Sequence, residues 1–117
     1  MDILKAKARL IANTRHKGAR RLDNLYDVAN LISLLRTHYN GSLKKVSEEV
    51  VDISPDMLNR FLSALKVDKR IIPLIKNRKI DNINVLFYIQ TLNGDDQFFL
   101  KFDAEDSIFS GEYCFLS

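Results

Sequence analysis

The chain has 117 residues, 46% of them hydrophobic and 28% charged, with a formal net charge of +3. That composition suits one soluble globular domain and argues against wholesale disorder. Apolar runs are short, and Lys5, Lys7 and Arg9 interrupt the amino-terminal one. No membrane-spanning segment or signal peptide is therefore expected, and a cytoplasmic protein is.

Cys114 is the lone cysteine, which excludes an intrachain disulfide and a cysteine-based zinc site. His16 and His38 have no carboxylates at metal-ligand spacing. No metal or cofactor is expected. The charge is uneven. Lys5, Lys7, Arg9, Arg15, Lys17, Arg20 and Arg21 face only Asp2 in the first 21 residues, whereas Asp95, Asp96, Asp103, Glu105, Asp106 and Glu112 face Lys101 after residue 93. A basic head suits a polyanion; it equally suits a solvated surface loosely paired with the acidic tail.

Helical spacing dominates. Residues 2–12 read as a short basic helix with Ile3, Leu4, Ala8 and Ile11 on one side. The stretch 13–21 reads as a loop or arm. Leu25, Val28, Ala29, Ile32 and Leu35 form one apolar stripe, capped by Asp23 or Asn24 and stopped by Asn40-Gly41. Ser42 caps a short helix with Leu43, Val46 and Val50 inward. Ser54-Pro55 opens a helix over 55–66, buried through Leu58, Phe61, Leu62 and Leu65. A fourth helical segment begins after Asp68, with Pro73 kinking or delaying its first turn. A fifth starts at Asp81 or Asn82, carries Ile83, Leu86, Phe87 and Ile89, and stops at Asn93-Gly94. Residues 97–102 fit a helix or a strand, and the helix is expected. Residues 107–117 read as a short β-hairpin or extended tail. The expected fold is mainly all-α, a compact multi-helix domain with a central helix-turn-helix. Its organisation is a basic helix and arm over 1–21, the domain over 22–104 and an acidic, aromatic tail over 105–117.

Leu43 to Leu65 is the helix-turn-helix candidate. Ser47 is the small residue where the second helix crosses the first. Val46, Val50, Ile53, Leu58 and Leu62 hold the pair together, and Asp56, Asn59, Arg60 and Ser63 are the polar outer face.

The stretch from Asn40 to Gln97 resembles the central DNA-binding domain of ParB-family partition proteins and their KorB-like relatives. Val46-Ser47 takes the family's Leu-Ala place, Ile53-Ser54 its Ile-Ser and Leu58-Asn59 its Val-Ser. "LSALKVD" matches the end of the recognition helix, "IKNRKI" the turn after it and "LNGDDQ" the closing segment. "RRLDNLYDVANLI" is similar to the box leading into that domain. The resemblance covers roughly residues 21–100 and takes in none of the family's amino-terminal nucleotide-binding domain. Two departures stand out. Val51-Asp52 replaces a single Gly in the turn, and Pro73 replaces an ordinary helix former.

The resemblance implies a sequence-specific double-stranded DNA-binding protein, a transcriptional regulator or a plasmid or chromosome partition factor. A homodimer is expected, because helix-turn-helix readers gain affinity on paired half-sites. Arg60 and Asn59 are the expected base readers, with Asp56 and Ser63 beside them; Arg forks onto guanine and Asn onto adenine. Asp56 is read first as a helix-dipole partner and second as an acceptor for cytosine. Ser42, Ser54, Lys44 and Lys45 are expected at the DNA backbone, with Arg15, Lys17, Arg20 and Arg21 as an arm. About five phosphate contacts among them give a log–log salt slope of about −4.5. The alternative is a helical protein-interaction module that kept the fold and does not read DNA, with the tail aromatics as its contact surface. An enzyme is the weakest class: there is no phosphate-binding glycine loop, no metal cluster and no supported nucleophile–base spacing.

Overall fold

Leu25, Val28, Ala29, Ile32 and Leu35 are all fully buried, and their helix is the element on which most of the others pack. The structure is a computed structural model that describes residues 2–14, 21–92 and 94–97. It is all-α, with α1 (Ile3–Thr14), α2 (Leu25–His38), α3 (Leu43–Glu49), α4 (Pro55–Leu62), a 3-10 turn (Ser63–Leu65), α5 (Ile72–Lys76) and α6 (Ile83–Ile89). No strand occurs among the described residues, and residues 94–97 are helical. The rest of the expected 97–102 helix and the expected hairpin lie outside the described residues. No described helix is long and apolar enough to cross a membrane.

α2 touches α1, α3, α4, the 3-10 turn and α5. Its stripe divides between two clusters. Leu25 and Ala29 join Ala64, Ile71, Ile75, Leu86 and Ile89. Val28, Ile32 and Leu35 join Ala6, Leu10, Val46, Val51, Leu58 and Leu62. Each large side chain so buried contributes about 1.5–3 kcal/mol relative to exposure.

Helix ends obey local chemistry. Asn24 caps α2, its side chain accepting from the Asp27 N–H. Asn40 and Gly41 stop that helix in the left-handed region, at φ 57° and 89°. Asn82 caps α6, accepting from the Asn84 and Val85 N–H groups. Pro73 delays α5: the chain makes a turn over 69–71, and only five residues are α-helical, with proline in the first turn.

The face of α1 differs from the expected one. Ala6, Leu10 and Asn13 are buried, and Leu4 is 74% exposed. An asparagine in the buried row hides the stripe from a count of apolar residues. Asn13 is nevertheless fully bonded: its Nδ2 donates to the Arg9 carbonyl (2.9 Å) and to Asp23 Oδ2 (2.8 Å), and its Oδ1 accepts from the Asp23 N–H (2.8 Å). Arg9 Nε also donates to Asp23 Oδ2, at 2.7 Å. With Arg9 as the main cause and Asn13 assisting, the Asp23 carboxyl is held down to about 2. α1 therefore shares the core of the domain, and no packing boundary separates it from α2.

Candidate nucleic-acid interface

The α3–turn–α4 unit is built from caps inward. Ser42 Oγ accepts from the Lys45 N–H (3.2 Å) and starts α3. The chain leaves α3 with the Val50 and Val51 N–H groups both on the Val46 carbonyl, at 3.0 and 3.3 Å. Ser47 Oγ then donates to the Ile53 carbonyl at 2.6 Å. Ser54 Oγ accepts from the Met57 N–H (3.1 Å), and Pro55 occupies the first turn of α4. Leu58 and Leu62 fix α4 to the core. Val51 and Asp52, the pair in this turn, divide its work. Val51 is 6% exposed and packs in the core, whereas Asp52 faces solvent.

α4 leaves Pro55, Asp56, Met57 and Asn59 exposed. Lys44 and Lys45 are exposed on α3, and so are Glu48 and Glu49 nearer the turn. Asp56 lies in the first turn of α4, where its charge suits the helix dipole. Ser42 and Ser54 both spend an acceptor lone pair on capping. Each keeps its hydroxyl proton, the half that a phosphate oxygen would take.

Arg60 is half-buried and held by a neighbouring helix. Its guanidinium lies 4.6 Å from the centroid of the Phe87 ring, and its Nη1 donates to Asn84 Oδ1 at 3.1 Å. Both partners belong to α6, which packs against α4. Neither Asn84 nor Phe87 is expected in the site from sequence. Their i, i+3 spacing on one helix is visible there, but the crossing of α6 over α4 is not.

Two expected contacts are corrected. Ser63 is 1% exposed. Ser63 lies in the 3-10 turn, against which both α2 and α6 pack, so it has no path to a base. Arg21 is not a loose arm residue. It pairs with Asp81, while Arg78 Nη2 donates to the Arg21 and Leu22 carbonyls at 3.0 and 2.8 Å. Its side chain is 18% exposed and ties the entry of α2 to the turn before α6. Arg15, Lys17 and Arg20 lie outside the described residues.

Two grooves are lined by residues outside α4. One, of about 450 Å³, is lined by Arg9, Asp23, Asp27, Asn30, Leu31 and Leu34. The other, of about 400 Å³, lies between the end of α1 and the turn, lined by Ile11, Thr14, Val50, Val51, Asp52 and Ile53. Among the described residues no group of three or more His, Cys, Asp or Glu side chains is placed to hold a metal ion. Comparison with family models, with curated proteins and with solved structures gives no match to this chain.

Proposed function

We propose that this chain is a sequence-specific double-stranded DNA-binding protein that uses α3 and α4 as a helix-turn-helix, as a transcriptional regulator or a partition-type factor acting in the cytoplasm as a homodimer. The observation that carries the reading is the setting of α4. Ser54-Pro55 starts it, Leu58 and Leu62 anchor it, and its amino-terminal half with Asn59 is exposed. Recognition helices meet base edges with that half. Exposed Lys44 and Lys45 at the start of α3 suit the phosphate backbone. The motif resemblance over residues 21–100 supports the same reading.

A second reading, a helical protein-interaction module, is favoured by one specific observation. Glu48, Glu49, Asp52 and Asp56 are all exposed around the turn into α4. That arrangement would repel a phosphate backbone unless Lys44, Lys45 and other cations outweigh it.

The test is binding to a mixed duplex DNA pool at two salt concentrations, with Arg60→Ala alongside. Salt-sensitive binding that loses sequence preference in the variant supports groove reading. No binding even at low salt rules it out and leaves the interaction module.

A further inference from the structure

We propose that Asn84 and Phe87 of α6 are positioning residues that convert Arg60 into a preformed reader of a guanine edge. This rests on the DNA-binding reading and extends the reading surface beyond the helix-turn-helix to a second helix.

Donor and acceptor chemistry sets the geometry. A guanidinium only donates, so the Asn84 group facing Arg60 Nη1 is its carbonyl oxygen. The Asn84 amide NH2 is then turned away from Arg60. Phe87 sits against the guanidinium, its ring centroid 4.6 Å from Cζ, a cation–π contact that adds to the hold of Asn84. Of the five guanidinium N–H donors, one is used by Asn84, and Asn84 keeps two of its own. The pair consequently presents donors and no free side-chain acceptor apart from the second lone pair on Asn84 Oδ1.

A donors-only patch selects an all-acceptor edge. In the major groove only guanine offers two adjacent acceptors, O6 and N7; adenine and cytosine offer an amino donor, and thymine a single acceptor beside a methyl group. A free arginine on a helix samples many rotamers and must be ordered on binding. Arg60, held on two sides by α6, is already ordered, which favours a fixed base contact over a diffuse phosphate contact.

The experiment selects sites from a randomised duplex pool with the full chain, for wild type, Arg60→Ala, Asn84→Ala and Phe87→Leu. Thermal melting is measured in parallel. Asn84 is exposed, so its variant keeps the fold even if the Phe87 variant is destabilised. The expected wild-type sites contain a guanine whose replacement by 7-deazaguanine weakens binding about tenfold. Asn84→Ala and Phe87→Leu lose preference at that base pair by a similar factor, with non-specific affinity and salt slope unchanged. Full wild-type preference in Asn84→Ala, with Arg60→Ala abolishing it, overturns this inference and leaves the DNA-binding reading standing. Equal weakening on all sequences, with a salt slope smaller by about 0.9, identifies a phosphate contact and also overturns it. If the wild type binds no DNA, both fall together.

Discussion

The Ser47 hydroxyl donates to the Ile53 carbonyl across 2.6 Å, spanning the turn between α3 and α4. It is the polar tie between the end of α3 and the residue before the Ser54 cap. Ser47→Ala keeps the small size needed where the helices cross but leaves that part-buried carbonyl without its donor. Such a loss costs about 1–2 kcal/mol. Urea unfolding should show a lower midpoint with an unchanged slope, and a variant as stable as wild type would mean water replaces the hydroxyl at no cost.

The turn between α3 and α4 is part of the core through Val51. It is 6% exposed and packs with Val46, Leu58 and Leu62. Val51→Ala removes two buried carbon groups and should cost about 1–2 kcal/mol. Asp52→Ala, at an exposed position, should stay within about 0.5 kcal/mol of wild type. Equal effects of the two substitutions, measured by urea unfolding, would contradict this division of roles.

Gly41 isolates a backbone effect. Its φ is 89°, and an added Cβ would meet nothing within 4 Å. Gly41→Ala therefore adds conformational strain without a clash, at about 1–2 kcal/mol. Thermal melting measures it, and Gly41→Asn should recover part of the loss, because asparagine tolerates the left-handed region better than alanine.

What the sequence made legible was periodic or capped. The α2 stripe, the Ser42, Ser54 and Asn82 caps, and the Asn40-Gly41 stop all lie where spacing and cap chemistry place them. What it concealed depended on long-range partners. Asn13 is buried because Asp23 and the Arg9 carbonyl satisfy it, and neither bond leaves a trace in hydropathy. Ser63 looks like a groove-facing residue only as long as α4 and the turn after it are read alone. In the fold α2 and α6 both pack on the 3-10 turn and cover it, a long-range contact that spacing does not reveal. Arg60 is legible as the one cation of α4; the hold of Asn84 and Phe87 on it is not, since it crosses from one helix to another.

Acid should act through Asp23. Its carboxyl is held down to about 2 by Arg9 first, then by Asn13, against an ordinary value of 3.8. A carboxylate depressed on folding stabilises the native state above its unfolded pKa. That contribution is lost as pH falls from about 4 to about 2. Arg9 is 49% exposed, so solvent screening limits the contribution to about 1 kcal/mol at neutral pH. Asp23→Asn should be less stable than wild type at pH 7, and the gap should close by pH 2. Asp68, held to about 2 mainly by Arg70, acts in the same direction and remains in both proteins. Stability measured by urea unfolding across that pH range checks the sign, and a gap independent of pH would remove the ion pair as its cause.

On the DNA-binding proposal, Lys44 and Lys45 serve to separate backbone contact from base reading. Both are exposed in the first turn of α3, where a helix-turn-helix meets the sugar-phosphate chain. If each neutralises one phosphate, replacing it by alanine should reduce the magnitude of the log–log salt slope by about 0.9. Affinity should fall alike on preferred and random duplexes, because phosphates carry no sequence information. Asn59→Ala should do the reverse, leaving the slope intact and weakening preference by about 1–3 kcal/mol at one base pair. Fluorescence anisotropy across a salt series, on one selected and one scrambled duplex, measures both quantities. The lysine assignment fails if the slope does not move, and the Asn59 assignment fails if selected and scrambled duplexes weaken together.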